Sequence, residues 1–271
     1  VEVLPMKPTW ERGNVRLYLG DTLEIVPQLP EGFADAIVTD PPFSSGGAFR
    51  GDRTQSTIAK YVQTGTMTQR TDFGGDSRDQ RSFFAWCSLW MCAGLRLCSP
   101  GGVLVCFTDW RQLPVMTDSV QAGGWVWRNL ATWWKPGCRM QRGRFSSSAE
   151  YVIYATAGAH ASDGEESPQN VLSCATLAGD DKEHIAEKPG AVMDWCVGVT
   201  RPGAVVIDPF MGSGATGEAC LRSGRSFVGI EKDPACFEIA VRRIDKAIDA
   251  GALFAPVPPA VRQANLFGGD A

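Results

Sequence analysis

Two short segments of the 271-residue chain put chemically useful groups beside rigid turns. The first is Asp40-Pro41-Pro42-Phe43, which ends the apolar, β-branched run Ala34–Thr39. Its Asp carboxylate and its Pro41 carbonyl are two acceptors. An exocyclic amine of a nucleobase has two N–H donors to match them. Accepting both draws the nitrogen toward tetrahedral geometry and frees its lone pair, which can then attack an electrophilic methyl group in line. The prolines remove backbone freedom and hold the acceptors in place. Phe43 offers a flat face for a base to stack on, worth roughly 1–3 kcal/mol. Read alone, the tetrad also fits an inert proline-rich turn; a second segment argues against that.

In the second segment, Val205-Val206-Ile207-Asp208 runs through Pro209-Phe210-Met211 into Gly212-Ser213-Gly214-Ala215-Thr216-Gly217. Glycines there let the backbone approach a ligand, and the helix that follows offers free N–H groups at its start. The next strand, Ser226–Ile230, leads into Glu231-Lys232. A carboxylate at that tip can accept both hydrogen bonds of a ribose diol. Together these describe a nucleoside cofactor site at the carboxyl edge of a parallel sheet. The glycine pattern fits NAD and S-adenosylmethionine alike. Asp208 favours the latter, because a fixed anion repels a diphosphate and attracts a cationic amino acid moiety, directly or through water. The expected cofactor residues here are Asp208, Pro209, Phe210, Gly212, Gly214, Thr216, Glu231 and Lys232, with Asp40 beside them.

The elements that must carry these turns alternate along the chain. Val15–Leu19 reads as a strand, and Asp21–Leu29 as a helix opening on an Asp cap. Ser82–Leu97 has helical spacing, Val103–Phe107 is a strand, and Gln112–Ala122 is a helix stopped by Gly123-Gly124. Trp125–Trp134 and Tyr151–Ala155 read as a hairpin-like pair, Ala161–Glu187 as an acidic loop, and Ala191–Val199 as a helix. Ala204–Asp208 and Ser226–Ile230 are strands around a helix holding Gly217–Arg222, and Pro234–Ala250 is an amphipathic helix. Alternation of this kind predicts an α/β fold, a mostly parallel sheet with helices on both faces. Residues 1–250 are expected to form one domain, with a polar lid over 44–81 and a Pro/Ala-rich tail over 251–271.

Composition sets outer bounds. With 44% hydrophobic and 21% charged residues, global disorder is not expected. No apolar run reaches the roughly 18 residues of a membrane span. Val1–Trp10 lacks the basic-then-apolar pattern of a secretory leader. Nine cysteines without a C-x-x-C pair read as reduced core thiols of a cytoplasmic protein. The two histidines, His160 and His184, have no ligand spacing, so no metal site is expected.

With both turns in place, the sequence resembles the S-adenosylmethionine-dependent DNA amino-methyltransferases. Asp40–Phe43 matches their catalytic (D/N/S)-P-P-(Y/F) motif, and Asp208–Gly214 matches D-P-F-x-G-S-G. The catalytic motif comes first, which is the permuted order of the β-group. Tyr18-Leu19-Gly20-Asp21 resembles the family's G-D segment, and His184-Ile185-Ala186-Glu187-Lys188-Pro189 its H-x-x-x-K-P segment. Trp133-Trp134-Lys135 resembles the W-x-K strand end, and Glu150–Tyr154 the E-x-I-L-x strand. The likeness implies a circularly permuted, Rossmann-like methyltransferase fold and methyl transfer to a base flipped out of DNA. It places Asp21 at the cofactor adenine, and His184, Lys188 and Pro189 around the methionine end. Asp at the first tetrad position implies adenine N6. Cytosine N4 is the alternative, although enzymes of that kind more often carry Ser there. An NAD-dependent oxidoreductase would leave Asp40–Phe43 without a role. The tetrad ends in Phe where Tyr is commoner, and 136–183 is a short target-recognition region. A homodimer is a further expectation by resemblance.

Charge and aromatic residues mark where DNA would lie. Trp125–Glu150 carries five positive residues against one negative, whereas His160–Gly190 carries two against seven. The net charge of −4 therefore hides a polarity that can steer double-stranded DNA to one face. Lys135, Arg139, Arg142 and Arg144 are expected at phosphates, as are Arg50 and Arg53 in the lid. Trp125 and Trp127 are expected in the core. Gln263-Ala264-Asn265-Leu266-Phe267 resembles the Q-x-x-L-F peptides that dock on the bacterial sliding clamp. Deleting 263–271 should abolish clamp pull-down and leave DNA methylation intact; unchanged pull-down would sink that expectation.

Overall fold

The computed structural model describes residues 6–43, 78–137, 142–143, 145–160, 168–176 and 188–252. Most of the 44–81 lid, and the tail from 253 with its clamp-like peptide, lie outside the described residues. In chain order the elements are β1 (Trp10–Arg12), β2 (Val15–Leu19), α1 (Thr22–Ile25), a 3-10 turn (Val26–Gln28), β3 (Ala34–Thr39) and α2 (Gln80–Leu97). Then come β4 (Cys98–Thr108), α3 (Leu113–Ala122), β5 (Val126–Trp134), β6 (Ala149–Thr156), β7 (Val171–Ser173) and α4 (Gly190–Val197). The chain continues through β8 (Val205–Asp208), α5 (Ala215–Arg222), β9 (Ser226–Glu231) and α6 (Pro234–Ala252).

The strands form one nine-stranded sheet in the order β1-β2-β9-β8-β3-β4-β6-β5-β7. Neighbours among β2, β9, β8, β3 and β4 are parallel, as the Rossmann-like reading requires. β6 runs antiparallel to both β4 and β5, which is the expected hairpin-like pairing. One face buries Tyr18, Ile37, Trp90, Leu104 and Met116 beneath α1, α2 and α3. The other buries Val38, Val105, Met193, Phe227 and Ile244 beneath α4, α5 and α6. Each such side chain contributes about 1.5–3 kcal/mol through burial. The eight described cysteines are free and six are buried. Burial pushes the Cys87 and Cys98 thiols up to about 12, so they pack as small apolar groups. Among the described residues no helix is long and apolar enough to cross a membrane.

Several boundaries differ from the sequence reading, each for a local reason. α2 starts two residues early because Asp79 Oδ1 accepts from the N–H groups of Arg81 and Ser82 at 3.0 and 2.9 Å. The expected Asp21–Leu29 helix keeps its Asp21 cap, with Leu23 N–H donating at 2.9 Å, but tightens into the 3-10 turn holding Pro27. β4 absorbs Pro100-Gly101-Gly102, because the chain enters the sheet directly from α2 across a register shift at Ala34/Ala36. β7 lies inside the expected loop Ala161–Glu187; three residues are too few to show a period, and it is the pairing of Thr132 with Val171 that makes them a strand. β1 is likewise too short to read. Trp125 is buried as expected, its indole N–H donating to Met91 O at 2.9 Å. Trp127 is not in the core: a register shift at Trp127/Asn129 breaks the inward-outward alternation, and the ring is 43% exposed.

The close approach of α5 to the sheet depends on Gly217. A Cβ there would lie 2.7 Å from the Phe227 ring and 2.9 Å from Ile244. Gly217→Ala should therefore destabilise the fold by about 1–3 kcal/mol through overpacking. Gly251→Ala, where a Cβ meets nothing within 4 Å, should leave stability unchanged or raise it. Thermal unfolding of the two variants checks the contrast.

Candidate active site

β8 and β3 are neighbours, but their connections leave in opposite directions. β8 continues through α5 to β9 on one side, and β3 through α2 to β4 on the other. The helices lie on opposite faces of the sheet. The carboxyl ends of β3 and β8 therefore flank a topological switch point, where open α/β sheets form a crevice. Both motifs sit at that edge. Asp40 follows the last residue of β3, and Asp208 is the last residue of β8.

Asp208 organises the crevice. It is buried, and Oδ1 accepts from the Thr39 hydroxyl at 2.7 Å and from Phe210 N–H at 3.0 Å. Oδ2 accepts from the Thr216 hydroxyl at 2.5 Å. Burial pushes its carboxyl up to about 6, against the pull of these three donors. The sequence reading placed Asp208 against the cofactor's cationic end. In the structure its oxygens are committed to the protein, and they shape the loop that follows. Gly212 and Gly214 take φ of +50° and +85°, the left-handed region that favours glycine. A Cβ on Gly212 would meet nothing within 4 Å, so its backbone borders open space. Gly212 N–H donates to Glu231 Oε2 at 2.9 Å, and Asp233 N–H to Oε1 at 2.7 Å, which fixes the carboxylate at the tip of β9. Burial pushes Glu231 up, against those two bonds. Asp21 pairs with Lys232 at 2.9 Å, bringing the two outer cofactor residues together beside Glu231. Pro209 accepts from the buried Thr22 hydroxyl. Phe210 packs on Trp86 and Trp90 of α2, with centroids 5.2 and 5.3 Å away.

The catalytic half has a different character. Asp40 Oδ2 lies 2.5 Å from Lys188 Nζ, and Oδ1 is buried without a hydrogen-bond partner among the described residues. Lys188 Nζ is also 3.2 Å from Glu150 Oε2, and it lies 5.3 and 5.0 Å from the ring centroids of Phe43 and Phe107. Burial raises the Asp40 carboxyl, with Lys188 opposing. Burial would also raise Glu150, but Lys188 and Lys135 outweigh it and hold that group below the usual range. Burial would lower Lys188; its two carboxylates reverse the sign and keep it an ammonium. Pro41 is buried and Phe43 half-buried, so the tetrad is a rigid rim.

Not every expected residue falls in the crevice. His184, Arg50, Arg53, Arg139 and Arg144 lie outside the described residues. Pro189 serves as the first residue of the α4 cap, with Val192 N–H donating to its carbonyl at 3.0 Å. Lys188, expected around the cofactor, turns its ammonium to Asp40. Lys135, expected at a phosphate, is 2.9 Å from Glu150 and only 17% exposed. Arg142 is exposed, near the exposed rings of Trp134 and Phe145 in sequence. Glu150 and Thr39 were missed as site residues. For Thr39 the signal was a polar group at the end of an apolar strand, and for Glu150 its place at the head of the strand Glu150–Tyr154; neither says what the group faces.

Similarity to known proteins was found at three levels. The DNA methylase family of N6/N4 type matches residues 34–242. The Type II methyltransferase M.ScaI of Streptomyces caespitosus is 23% identical, covering 88% of this chain and 84% of that protein. Among solved structures, the PvuII DNA methyltransferase, described as cytosine-N4-specific, superposes with a TM-score of 0.67 at 18% identity over 91% of this chain and 94% of its own. The M1.HpyAVI–SAM complex gives 0.61 at 23% identity, over 85% and 99%.

The raised Asp208 group makes stability depend on pH. Its folded value, about 6, exceeds its ordinary 3.8. Its contribution is therefore fully present below pH ~3.8 and is lost as pH rises through ~6, a change of about 3 kcal/mol. Asp208→Asn can keep the Thr39 and Phe210 bonds and turn an N–H to Thr216. Denaturant titrations of both proteins between pH 4 and 7 should show the variant gaining on the wild type by about that amount. A difference that stays flat across this window would remove the basis for the assignment.

Proposed function

The chain belongs to the N6/N4 DNA methylase family, and from that premise we propose that it methylates the N6 amine of adenine in double-stranded DNA. S-adenosylmethionine supplies the methyl group, as an electrophilic carbon on a sulfonium. The residues present fit that molecule. The open backbone at Gly212 and the fixed Glu231 carboxylate form a cradle into which a Cβ on Gly212 would project. Gly214 takes the left-handed turn that shapes the loop, and a Cβ there would lie 3.1 Å from Ala240.

The observation that carries the reaction is the asymmetry of Asp40. Lys188 holds one oxygen, and the other is buried with no partner. A buried acceptor left unpaired costs roughly 1–3 kcal/mol, which a donated N–H recovers. An incoming amine gives one N–H to Asp40 Oδ1 and the other to the Pro41 carbonyl. Its lone pair is then directed at the methyl carbon; the new N–C bond forms as the S–C bond breaks. The methylated nitrogen carries a positive charge and loses its proton to Asp40 or to water. No strong base and no nucleophilic cysteine are needed, since orientation and electrostatics supply most of the rate. Phe43 stacks the base once it has left the duplex. Exposed Arg142, Trp134 and Phe145 support DNA contact by the segment after β5. Arg50, Arg53, Arg139 and Arg144 belong to the same proposal on charge alone. The free thiols fit a reducing bacterial or phage-infected cytoplasm, where a homodimer or a clamp-bound form is proposed by resemblance.

Adenine is preferred to cytosine because the tetrad begins with Asp. Labelled methyl transfer to DNA of varied sequence, followed by nucleoside digestion, should yield N6-methyldeoxyadenosine. Asp40→Ala should lower the single-turnover rate by about 10²-fold or more. Recovery of N4-methylcytosine would replace adenine by the second reading, and full activity of Asp40→Ala would defeat both.

A further inference from the structure

Four charges of alternating sign run inward from the sheet edge. Lys135 Nζ is 2.9 Å from Glu150 Oε1, Glu150 Oε2 is 3.2 Å from Lys188 Nζ, and Lys188 Nζ is 2.5 Å from Asp40 Oδ2. They come from four places in the chain: the end of β5, the start of β6, the entry to α4 and the end of β3. β5 and β6 pair antiparallel with Trp133 opposite Glu150 and Trp134 opposite Ala149, so Lys135 arrives beside Glu150 by register. The exposures of the side chains are 17, 20, 9 and 23% for Lys135, Glu150, Lys188 and Asp40. Lys135 also lies 5.3 Å from the Trp133 ring centroid, which holds its stem inward.

An isolated lysine buried beside Asp40 would be costly, and it would leave the carboxylate free to rotate about its own axis. The second carboxylate, Glu150, gives Lys188 a partner on its far side and fixes its ammonium. Lys135 in turn fixes Glu150. Two cationic and two acidic side chains alternate in a place largely closed to solvent, each with an opposite partner. What the chain delivers is one held oxygen on Asp40 and one unpartnered oxygen at a set position. Misplacing an acceptor by about 1 Å costs on the order of 10²-fold in rate.

We propose that Glu150 is a positioning residue that acts on Asp40 through Lys188, and that Lys135 is its outer anchor and not a phosphate contact. The proposal rests on Asp40 being the amine acceptor. It assigns the lysine at the end of β5 to the reaction centre, although it lies in the most basic stretch of the sequence.

The test uses the full chain, labelled S-adenosylmethionine and a duplex that the wild type methylates. Glu150→Gln should lower the single-turnover rate by about 30–100-fold, with half-saturating concentrations of DNA and cofactor within about twofold. Lys135→Ala should lower that rate by about 3–10-fold, and Lys135→Arg should restore most of it. The double variant Glu150→Gln/Lys135→Ala should be no slower than Glu150→Gln, because Lys135 acts only through Glu150. Binding measured across salt concentrations separates the two roles of Lys135. A lost phosphate contact lowers the log–log salt slope by about 0.9, whereas a lost anchor leaves it unchanged. If Glu150→Gln proves unstable in thermal unfolding, the Lys135 pair at the sheet edge carries the same test. The proposal is overturned by a wild-type rate in Glu150→Gln, by additive losses in the double variant, or by a reduced salt slope in Lys135→Ala with its saturated rate intact. Full activity of Asp40→Ala is a separate outcome, which removes the underlying reading of the reaction.

Discussion

Asp208 accepts hydrogen bonds from the Thr39 hydroxyl, the Thr216 hydroxyl and Phe210 N–H, and through them joins three elements at one point. Thr39 ends β3, Phe210 opens the glycine loop, and Thr216 lies in the first turn of α5. A buried carboxylate is expensive to desolvate, and three donors offset that cost only while all three stay in place. The bonds therefore restrain relative sliding of β3, the loop and the helix. Asp40 follows Thr39 directly, so it is held beside the glycine loop. The arrangement explains why a carboxylate with a raised affinity for protons sits buried at the carboxyl edge with both oxygens bound to the protein.

Around that point the crevice collects negative charge. Asp40, Glu150, Asp208 and Glu231 all lie at the carboxyl edge, and burial disfavours the ionised form of each. The structure answers differently on its two sides. On the cofactor side, backbone N–H groups and hydroxyls carry the load, with Gly212 and Asp233 bound to Glu231. On the catalytic side, a buried ammonium does so, with Lys188 between Asp40 and Glu150. The division has a chemical sense: the hydrogen-bonded carboxylates keep a fixed shape, while ion-paired Asp40 keeps one buried oxygen unpartnered among the described residues, the feature on which the proposed reaction rests.

Aromatic packing couples the halves. Phe210 leaves the glycine loop and packs on Trp86 and Trp90 of α2, the helix that leads into β4. Lys188 sits near the rings of Phe43 and Phe107, one from the catalytic tetrad and one from β4. Core and site thus share side chains. Trp134 and Phe145, near Lys135 in sequence, are exposed and take no part in that packing.

Where the chemistry depends on neighbours in the chain, the sequence was sufficient. Asp-Pro-Pro-Phe after an apolar strand and Gly-x-Gly-x-x-Gly before a helix are local backbone devices, so their place at the strand ends and the parallel sheet beneath them could be read from order and type. Ala34–Thr39 and Val15–Leu19 matched to the residue, because an apolar strand is its own signal. β7 was invisible because three residues hold no period, and Trp127 was misplaced because a bulge reverses alternation without marking the sequence. The partners of charged groups were beyond reach altogether. Lys135 looked like one more cation in a basic stretch, and Lys188 like a wall of the cofactor site. Only the register of β5 on β6, and the approach of α4 to the end of β3, placed Lys135 on Glu150 and Lys188 on Asp40. The sequence alone determined which groups can do chemistry and on which turns they stand. The tertiary structure decided which charges meet, because an ion pair forms across space between residues whose separation in the chain, 148 positions for Lys188 and Asp40, carries no local trace.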